Sequence, residues 1–172
     1  MSIARFTEIL PEMLKENAIS LIGAAWMLIT AGTTQSFNTM TASWGGLGVL
    51  WGMPVAFCFI RPQRNTYAFM ERSDHFTLSF FDEKYRSALQ YCGAHSGKDV
   101  DKVKATGLTP AAGEHSSVFF NEARLILECR KLYFQDIIPG NFLDPAIEQN
   151  YPNKDYHRMY IAAITAVHEA VR

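Results

Sequence analysis

The sequence has few charges, few cysteines and no leader-like start, and each of these absences excludes a class of protein. Charged residues make up 19% of the 172 residues and the net charge is −1, so we expect no basic surface for nucleic acid. The three cysteines, Cys58, Cys92 and Cys129, lie too far apart for a zinc site and are expected to be free thiols in a reducing compartment. The N-terminus lacks the basic, apolar and small residues of a signal peptide, which predicts a cytoplasmic protein.

Long hydrophobic runs and the usual cofactor motifs are also missing. The mostly apolar residues 18–31 are too few to cross a bilayer, so no membrane association is expected. There is no glycine-rich dinucleotide fingerprint and no P-loop. The histidines do not stand at metal-ligand spacing from one another or from acidic residues, so we expect no metal. They are His75, His95, His115, His157 and His168.

The residues that are present predict one mainly β domain over residues 1–172. A chain of 172 residues is large enough to bury about two thirds of its unfolded surface, and its composition, 48% hydrophobic, is that of a globular protein. Apolar patterns predict strands at residues 26–31, 37–43, 55–60, 75–81, 124–130 and 159–167. Helical patterns fall at residues 4–17, 65–72, 83–91 and 101–105, and loops are expected at 45–52 and 139–153.

This order of elements predicts a closed or partly closed antiparallel barrel with inserted helices. A doubly wound parallel sheet would alternate strands and helices regularly, and this chain does not. In residues 124–130 the inward positions alternate, but Leu132 and Phe134 are one residue out of step. That slip predicts a β-bulge near Arg130.

Two polar clusters about twenty residues apart are the most informative feature of the chain. The first is residues 38–44, Asn-Thr-Met-Thr-Ala-Ser-Trp, and the second is residues 61–66, Arg-Pro-Gln-Arg-Asn-Thr. The apolar residues 54–60 between them predict an interior strand, which would carry the second cluster to its end and hold it against the first.

The second cluster suits a phosphate monoester. The guanidinium groups of Arg61 and Arg64 match the oxygens of a phosphate. Either Arg64 or Asn65 is placed to cap the following helix, whose free N–H groups would face the same anion, and the Thr66 hydroxyl adds a donor. The alternative is a solvated loop between a strand and a helix that happens to hold two arginines.

The first cluster suits a flat polar ring beside that phosphate. Thr39, Thr41 and Ser43 fall on one face of a strand, where hydroxyl and main-chain groups match the pyrimidine edge of a flavin. The alternative is the polar face of a half-exposed strand. Taken together, a ring at one end and a phosphate at the other describe flavin mononucleotide (FMN).

A third polar loop, residues 96–102, offers a further contact. Gly97 allows a tight turn, and Asp99 or Asp101 is placed to cap the next helix. A lysine of this loop, Lys98 or Lys102, would stabilise the anionic reduced flavin near N1 and O2. The alternative is a capped surface loop without a ligand.

Taken in order, these stretches resemble the flavin reductase-like, FMN-binding split-barrel family, and within it the flavoredoxin-like members. The similarity runs over residues 20–165 and rests on residues 26–32, 38–46, 54, 61–66, 76–81 and 96–102. It implies an antiparallel split β-barrel of Greek-key type that forms a homodimer and binds FMN non-covalently near the dimer interface. The candidate cofactor-binding residues are Asn38, Thr39, Met40, Thr41, Ala42, Ser43, Arg61, Arg64, Asn65, Thr66 and Lys102.

Within that set the resemblance implies a division of roles. Asn38, Thr39, Thr41 and Ser43 would contact the flavin ring and ribityl chain, and Arg61, Arg64 and Thr66 would hold the phosphate, with Lys102 in the same pocket. The implied activity is that of an NAD(P)H:flavin reductase or a flavoredoxin-like electron carrier. NAD(P)H is then a candidate co-substrate, and free flavin or a redox protein a candidate partner.

The residues also leave two other functions open. One is a non-catalytic flavin-binding protein for storage or sensing, and the other is a split-barrel relative that has lost flavin and binds another anion. We assign no catalytic residue; hydride transfer to flavin N5 needs no general base, so the lack of an obvious acid–base pair does not argue against this activity.

Overall fold

The computed structural model describes residues 5–171, which form ten strands and three α-helices. The strands are β1 (Phe6–Ile9), β2 (Met27–Thr33), β3 (Ser36–Ala42), β4 (Gly45–Leu50), β5 (Met53–Ile60), β6 (His75–Phe80), β7 (Pro110–Ala112), β8 (Val118–Phe120), β9 (Leu125–Asp136) and β10 (Arg158–Ala170). The helices are α1 (Asn65–Arg72), α2 (Arg86–Ala94) and α3 (Lys102–Thr106).

Eight of the strands form one antiparallel sheet, and β7 and β8 form a separate hairpin. The sheet order is β3-β2-β6-β9-β10-β5-β4, with β1 paired to the last residues of β10. Buried side chains from β2, β3, β5, β6, β9 and β10 pack into one core, while β3 and β4 remain the two edges of the sheet. The sheet is therefore an open barrel, which confirms the predicted mainly β, split-barrel class.

Helix α2 and the β7–β8 hairpin pack on the outside of this barrel. They bury a second apolar cluster that includes Leu28, Leu89, Phe120 and Ile126. For this reason Thr77 on β6 is fully buried, although it alternates with the inward Phe76. A strand covered on both faces buries its polar positions too, and Thr77 satisfies its hydroxyl by donating to the Val118 carbonyl at 2.5 Å.

The predicted helix over residues 65–72 is α1, with the same bounds. The predicted turn at 101–105 is α3, where the Asp101 carboxylate accepts from the Lys104 amide at 3.0 Å and Gly107 ends the helix at a φ of +71°. The helix predicted at 83–91 begins as a 3₁₀ turn, Glu83–Tyr85, and α2 continues past Gly93 to Ala94.

Two predictions of local structure are wrong. The helix expected at residues 4–17, of which residue 4 lies outside the described part, is instead β1 and a 3₁₀ turn, because Phe6 pairs with Ala170 on β10. Residues 45–50, expected as an irregular loop, form β4 against β5. A Cβ on Gly45 would lie 2.7 Å from the Phe57 carbonyl oxygen, so glycine is what allows this close pairing.

The long strands β9 and β10 pair with two register shifts. One lies where Ile161 and Ala162 face Tyr133 and Lys131, so Leu132 is the extra residue of the predicted bulge. Residues 137–157, called here the β9–β10 segment, include the loop predicted at 139–153 and contain two 3₁₀ turns, Pro139–Asn141 and Pro145–Asn150. No helix in the described residues is both long and apolar enough to cross a membrane.

Candidate functional site

The fold brings the two polar clusters together around one cavity, called here the central cavity. Strand β3 runs into Ser43 and Trp44, and β5 ends one residue before Arg61. The cavity between them has a volume of about 220 Å³. Its lining residues are Met40, Thr41, Ala42, Ser43, Trp44, Phe59, Arg61, Arg64 and His157. The expected convergence of strand and arginines is therefore present.

Arg64 and Lys102 form a pair of cations at the C-terminal end of α2. Arg64 donates to the Gly93 carbonyl at 2.9 Å, and Lys102 donates to the carbonyls of Cys92 and Thr39, each at 2.8 Å. Cations are favourable where helix carbonyls lack partners. Neither residue makes an ion pair with a carboxylate of the described chain.

The electrostatics of this pair follow from its burial. Lys102 is only 6% exposed, and its pKa is lowered to about 8 chiefly by burial; Cys92 opposes this shift and the charge of Arg64 adds to it. Burial also lowers the pKa of Arg64, and the charge of Arg61 adds to that shift. Two neighbouring cations without a counter-ion favour the binding of an anion.

Arg61 has a different environment, although it lines the same cavity. Its Nη1 donates to Asp155 Oδ2 at 2.7 Å and its Nη2 to the Asn150 carbonyl at 2.9 Å. Its guanidinium carbon lies 5.1 Å from the centroid of the Tyr151 ring. The charge of Arg61 is thus already paired inside the protein.

Asn38 and Thr66 connect the two clusters directly. The Asn38 amide donates to the Thr66 hydroxyl at 2.6 Å, and both residues are buried. A Cβ on Gly97 would lie 1.8 Å from Asn38 Oδ1 and 3.1 Å from Asn65 Nδ2, so only glycine lets this loop pack against the start of α1.

Not every predicted site residue faces the central cavity. Asn38, Thr39 and Lys102 line a second cavity of about 630 Å³, which also includes Lys98 and Asp99. Asn65 and Thr66 lie next to that region but line neither cavity.

The predicted row of hydroxyls is partly engaged by the protein itself. Thr39 is 2% exposed and its hydroxyl lies 2.9 Å from that of Thr30. The Thr41 hydroxyl donates to the Leu89 carbonyl at 2.5 Å, because α2 covers this face of the edge strand. Ser43 lies just beyond β3 and lines the central cavity.

His157 and Trp44 form an aromatic wall that the candidate set leaves out. Their ring centroids are 5.1 Å apart, and His157 Nδ1 lies 3.0 Å from the Tyr151 hydroxyl. Burial lowers the pKa of His157 to about 4, helped by the positive charge of Arg61, so the imidazole is neutral at pH 7. The signal in the sequence is the position of this histidine immediately before the last strand.

Two further hollows adjoin the central cavity. One, of about 290 Å³, shares Thr41, Ala42 and Ser43 with it and reaches Trp26 and Leu89. The other, of about 460 Å³, shares Ser43 and Trp44 and runs along the glycines of β4. An elongated ligand therefore has room to extend beyond the central cavity. The described residues hold no cluster of three or more His, Cys, Asp or Glu suited to a metal ion.

A family model described as the flavin reductase like domain matches residues 19–170. The chain belongs to the flavin reductase-like family. A comparison with curated proteins finds no match.

Solved structures show the same fold at low sequence identity. The flavoredoxin of Desulfovibrio vulgaris (Miyazaki F) is 23% identical with a TM-score of 0.66, over 86% of this chain and 69% of that one. The flavoredoxin of Methanosarcina acetivorans is 20% identical with a TM-score of 0.66, over 83% and 67%. The FMN-binding domain of a flavin reductases-like enzyme from Shewanella baltica OS155 is 17% identical with a TM-score of 0.70, over 96% and 77%.

Proposed function

We propose that this member of the family is an FMN-dependent oxidoreductase, either an NAD(P)H:flavin reductase or a flavoredoxin-like electron carrier. One observation carries the proposal: a polar strand end and an unneutralised cation, Arg64, line one cavity. Membership of the flavin reductase-like family supports a flavin-linked redox function. FMN in particular is supported by the names of the similar structures, an FMN-binding domain among them.

The site has room for a flavin only when the adjoining hollows are counted with the central cavity. A cavity of about 220 Å³ is smaller than the roughly 300–1,000 Å³ usual for cofactor pockets. The two adjoining hollows share Thr41–Ser43 and Ser43–Trp44 with it, so a planar ring in the central cavity could extend into them.

We assign the phosphate to the Arg64 end. Arg64, the residue before α1, lines the central cavity without a carboxylate partner among the described residues. Lys102 adds a second uncompensated cation. Neither observation depends on where the flavin ring lies.

FMN, when bound, supplies the redox chemistry of such a protein, and the chain's own residues bind and orient it. Arg64 holds the phosphate, and the backbone of residues 41–44 contacts the ring. Trp44, Phe59 and His157 give the central cavity its aromatic lining. Because His157 is neutral at pH 7, it contributes a hydrogen-bonding group there without a net charge.

We also propose that two copies of the chain assemble as a homodimer. Val49 of the edge strand β4 and the two residues that flank this strand, Trp44 and Trp51, have exposed large apolar side chains. An exposed edge strand with apolar side chains is normally covered. Sedimentation equilibrium should give twice the mass of the chain, and a monomer at micromolar concentration would refute the assembly.

The visible absorption spectrum of the purified protein tests the flavin proposal. We expect a flavin spectrum, or its appearance on adding FMN, and bleaching of that spectrum when NADH or NADPH is added without oxygen. A protein that takes up no FMN contradicts the proposal. Uptake without reduction by either nucleotide excludes the reductase and leaves an electron carrier or a non-catalytic flavin-binding protein.

A further inference from the structure

His157, the last residue of the β9–β10 segment, lines the central cavity, and the Arg61 side chain contacts this segment. The segment spans residues 137–157 between two strands, a length at which an irregular connection needs its own anchors. Three of its residues contact the Arg61 side chain: Asn150, Tyr151 and Asp155.

These contacts continue to the cavity through His157. Tyr151, which stacks against Arg61, places its hydroxyl 3.0 Å from His157 Nδ1. Asp155, which pairs with Arg61, lies two residues before His157. His157 in turn packs against Trp44 and Phe59, with ring centroids 5.1 and 6.4 Å away.

Breaking the Arg61–Asp155 ion pair so that Arg61 could bind another anion would be unfavourable. The Asp155 side chain is 13% exposed, its Oδ1 is buried without a hydrogen-bond partner, and its Oδ2 also accepts from Gln63. If Arg61 moved to a phosphate, this carboxylate would lose its cation in a largely desolvated position, which is unfavourable.

We propose that Arg61 is a positioning residue, which locks the β9–β10 segment through Asp155 and Tyr151 and so fixes His157 against Trp44, and that it does not bind the phosphate. The inference rests on the proposed flavin site for its consequence, since the wall it fixes is a wall of that site. Its structural part can be tested with or without flavin.

Trypsin cleavage after Lys154 measures how firmly Arg61 holds the β9–β10 segment, which is called the lock below. Lys154 is exposed within the segment, and its backbone amide bonds to the Tyr151 carbonyl at 2.9 Å. Measured relative to cleavage of the same bond in the denatured variant, which removes the effect of changing the residue after Lys154, we expect Arg61→Gln and Asp155→Asn each to speed this cleavage about tenfold, and the double variant to cleave no faster than the faster single one. Arg61→Lys, which keeps the charge but not the contact with Asn150, should fall between. Additive effects, or unchanged cleavage in both single variants, would overturn the lock.

The Arg124–Glu16 ion pair, which lies outside the β9–β10 segment, provides a matched control. Arg124 pairs with Glu16 and its side chain is 20% exposed, against 26% for Arg61. Arg124→Gln and Glu16→Gln should leave cleavage after Lys154 unchanged. If they accelerate it as much as the Arg61 and Asp155 variants do, general loss of stability explains the result and the lock is wrong.

The NMR titration of His157 in Asp155→Asn separates positioning from simple electrostatics. Asp155 raises the pKa of His157 by its charge, so removing that charge alone would lower the pKa further below about 4. Release of the segment would expose the imidazole and move its pKa up toward its ordinary value. We expect the upward shift, and a downward shift would refute the proposal.

Flavin binding then tests the consequence. In Arg61→Gln we expect FMN and riboflavin to lose affinity by the same factor, because the wall is disturbed and the phosphate contact is not. Loss of FMN affinity alone would make Arg61 a phosphate ligand and overturn the proposal. If the wild-type protein binds neither flavin, the proposed function fails, whereas the cleavage and titration experiments still decide the lock.

Discussion

Arg61 and Arg64 lie three residues apart and line the same cavity, yet the protein surrounds them differently. Arg61 faces the β9–β10 segment and has a carboxylate, Asp155, at 2.7 Å. Arg64 faces the end of α2 and contacts only carbonyl groups, beside a second cation, Lys102. A guanidinium that is already neutralised serves structure, whereas one that is not is available to a ligand. The comparison predicts different results for the same substitution at the two positions.

The largest effect is expected for Arg64→Ala. Loss of a charge-assisted contact to phosphate should weaken FMN binding by about 1.5–3 kcal/mol. Titration followed by quenching of flavin fluorescence measures it. Riboflavin, which has no phosphate, is the control ligand and should bind the variant and the wild type equally. An unchanged FMN affinity would show that Arg64 does not bind the phosphate.

Gly97→Ala should disturb the packing of the 96–102 loop against the start of α1, next to Arg64, through steric crowding alone. The added Cβ would lie 1.8 Å from Asn38 Oδ1, so the loop must shift away from the start of α1. We expect a loss of about 1–3 kcal/mol in the free energy of unfolding, measured with urea, together with weaker FMN binding. Gly140→Ala is the matched control, since its Cβ would meet no atom within 4 Å. Equal stability of the two variants would contradict this packing.

The charge of Lys102 should make FMN binding depend on pH. Its folded-state pKa of about 8 lies below the ordinary 10.5, so it loses its proton as the pH rises through about 8. FMN affinity should then fall several-fold between roughly pH 7 and 9. The same shift makes the folded protein bind fewer protons than the unfolded chain between these two pKa values, so this group adds stability as the pH rises through that window. Lys102→Met should abolish both dependences; an unchanged pH profile in this variant would assign them to other groups.

The smallest effect is expected on the ratio of FMN to riboflavin affinity when Arg61 is replaced. Arg61→Gln should leave the ratio of FMN to riboflavin affinity within about twofold of the wild type, since its charge is paired with Asp155. Parallel titrations of the two ligands with the Arg61 and Arg64 variants measure both ratios. Equal ratios in the two variants would erase the distinction on which this comparison depends.

Local sequence signals predicted much of the fold. Helix α1, the strands of the barrel and the bulge at Leu132 follow from patterns within a few residues of each other. Strands β1 and β4 do not, because their pairing partners are remote: Phe6 meets Ala170, and the glycines of β4 lie against β5. Neither the hydrophobic period of a segment nor the strand propensity of its residues indicates a pairing partner that is remote in the sequence.

The candidate site was predicted in outline for a similar reason. Residue types indicated that the clusters around Thr41 and Arg64 belong together, and they line one cavity. The sequence could not indicate that Asp155, more than ninety residues further on, neutralises Arg61 and not Arg64. His157 was missed because its role depends on packing against Trp44. Which side chains bind a ligand stays a prediction.

The buried hydrogen bond between Asn38 and Thr66 has a consequence for how the site arises. It joins β3 to α1 across 28 residues of sequence, and neither group can satisfy its partner before the barrel has closed around it. A nascent or partly unfolded chain would present no finished ligand pocket. Any ligand selective for this pocket would then act late in folding, by trapping the completed barrel and slowing its reopening.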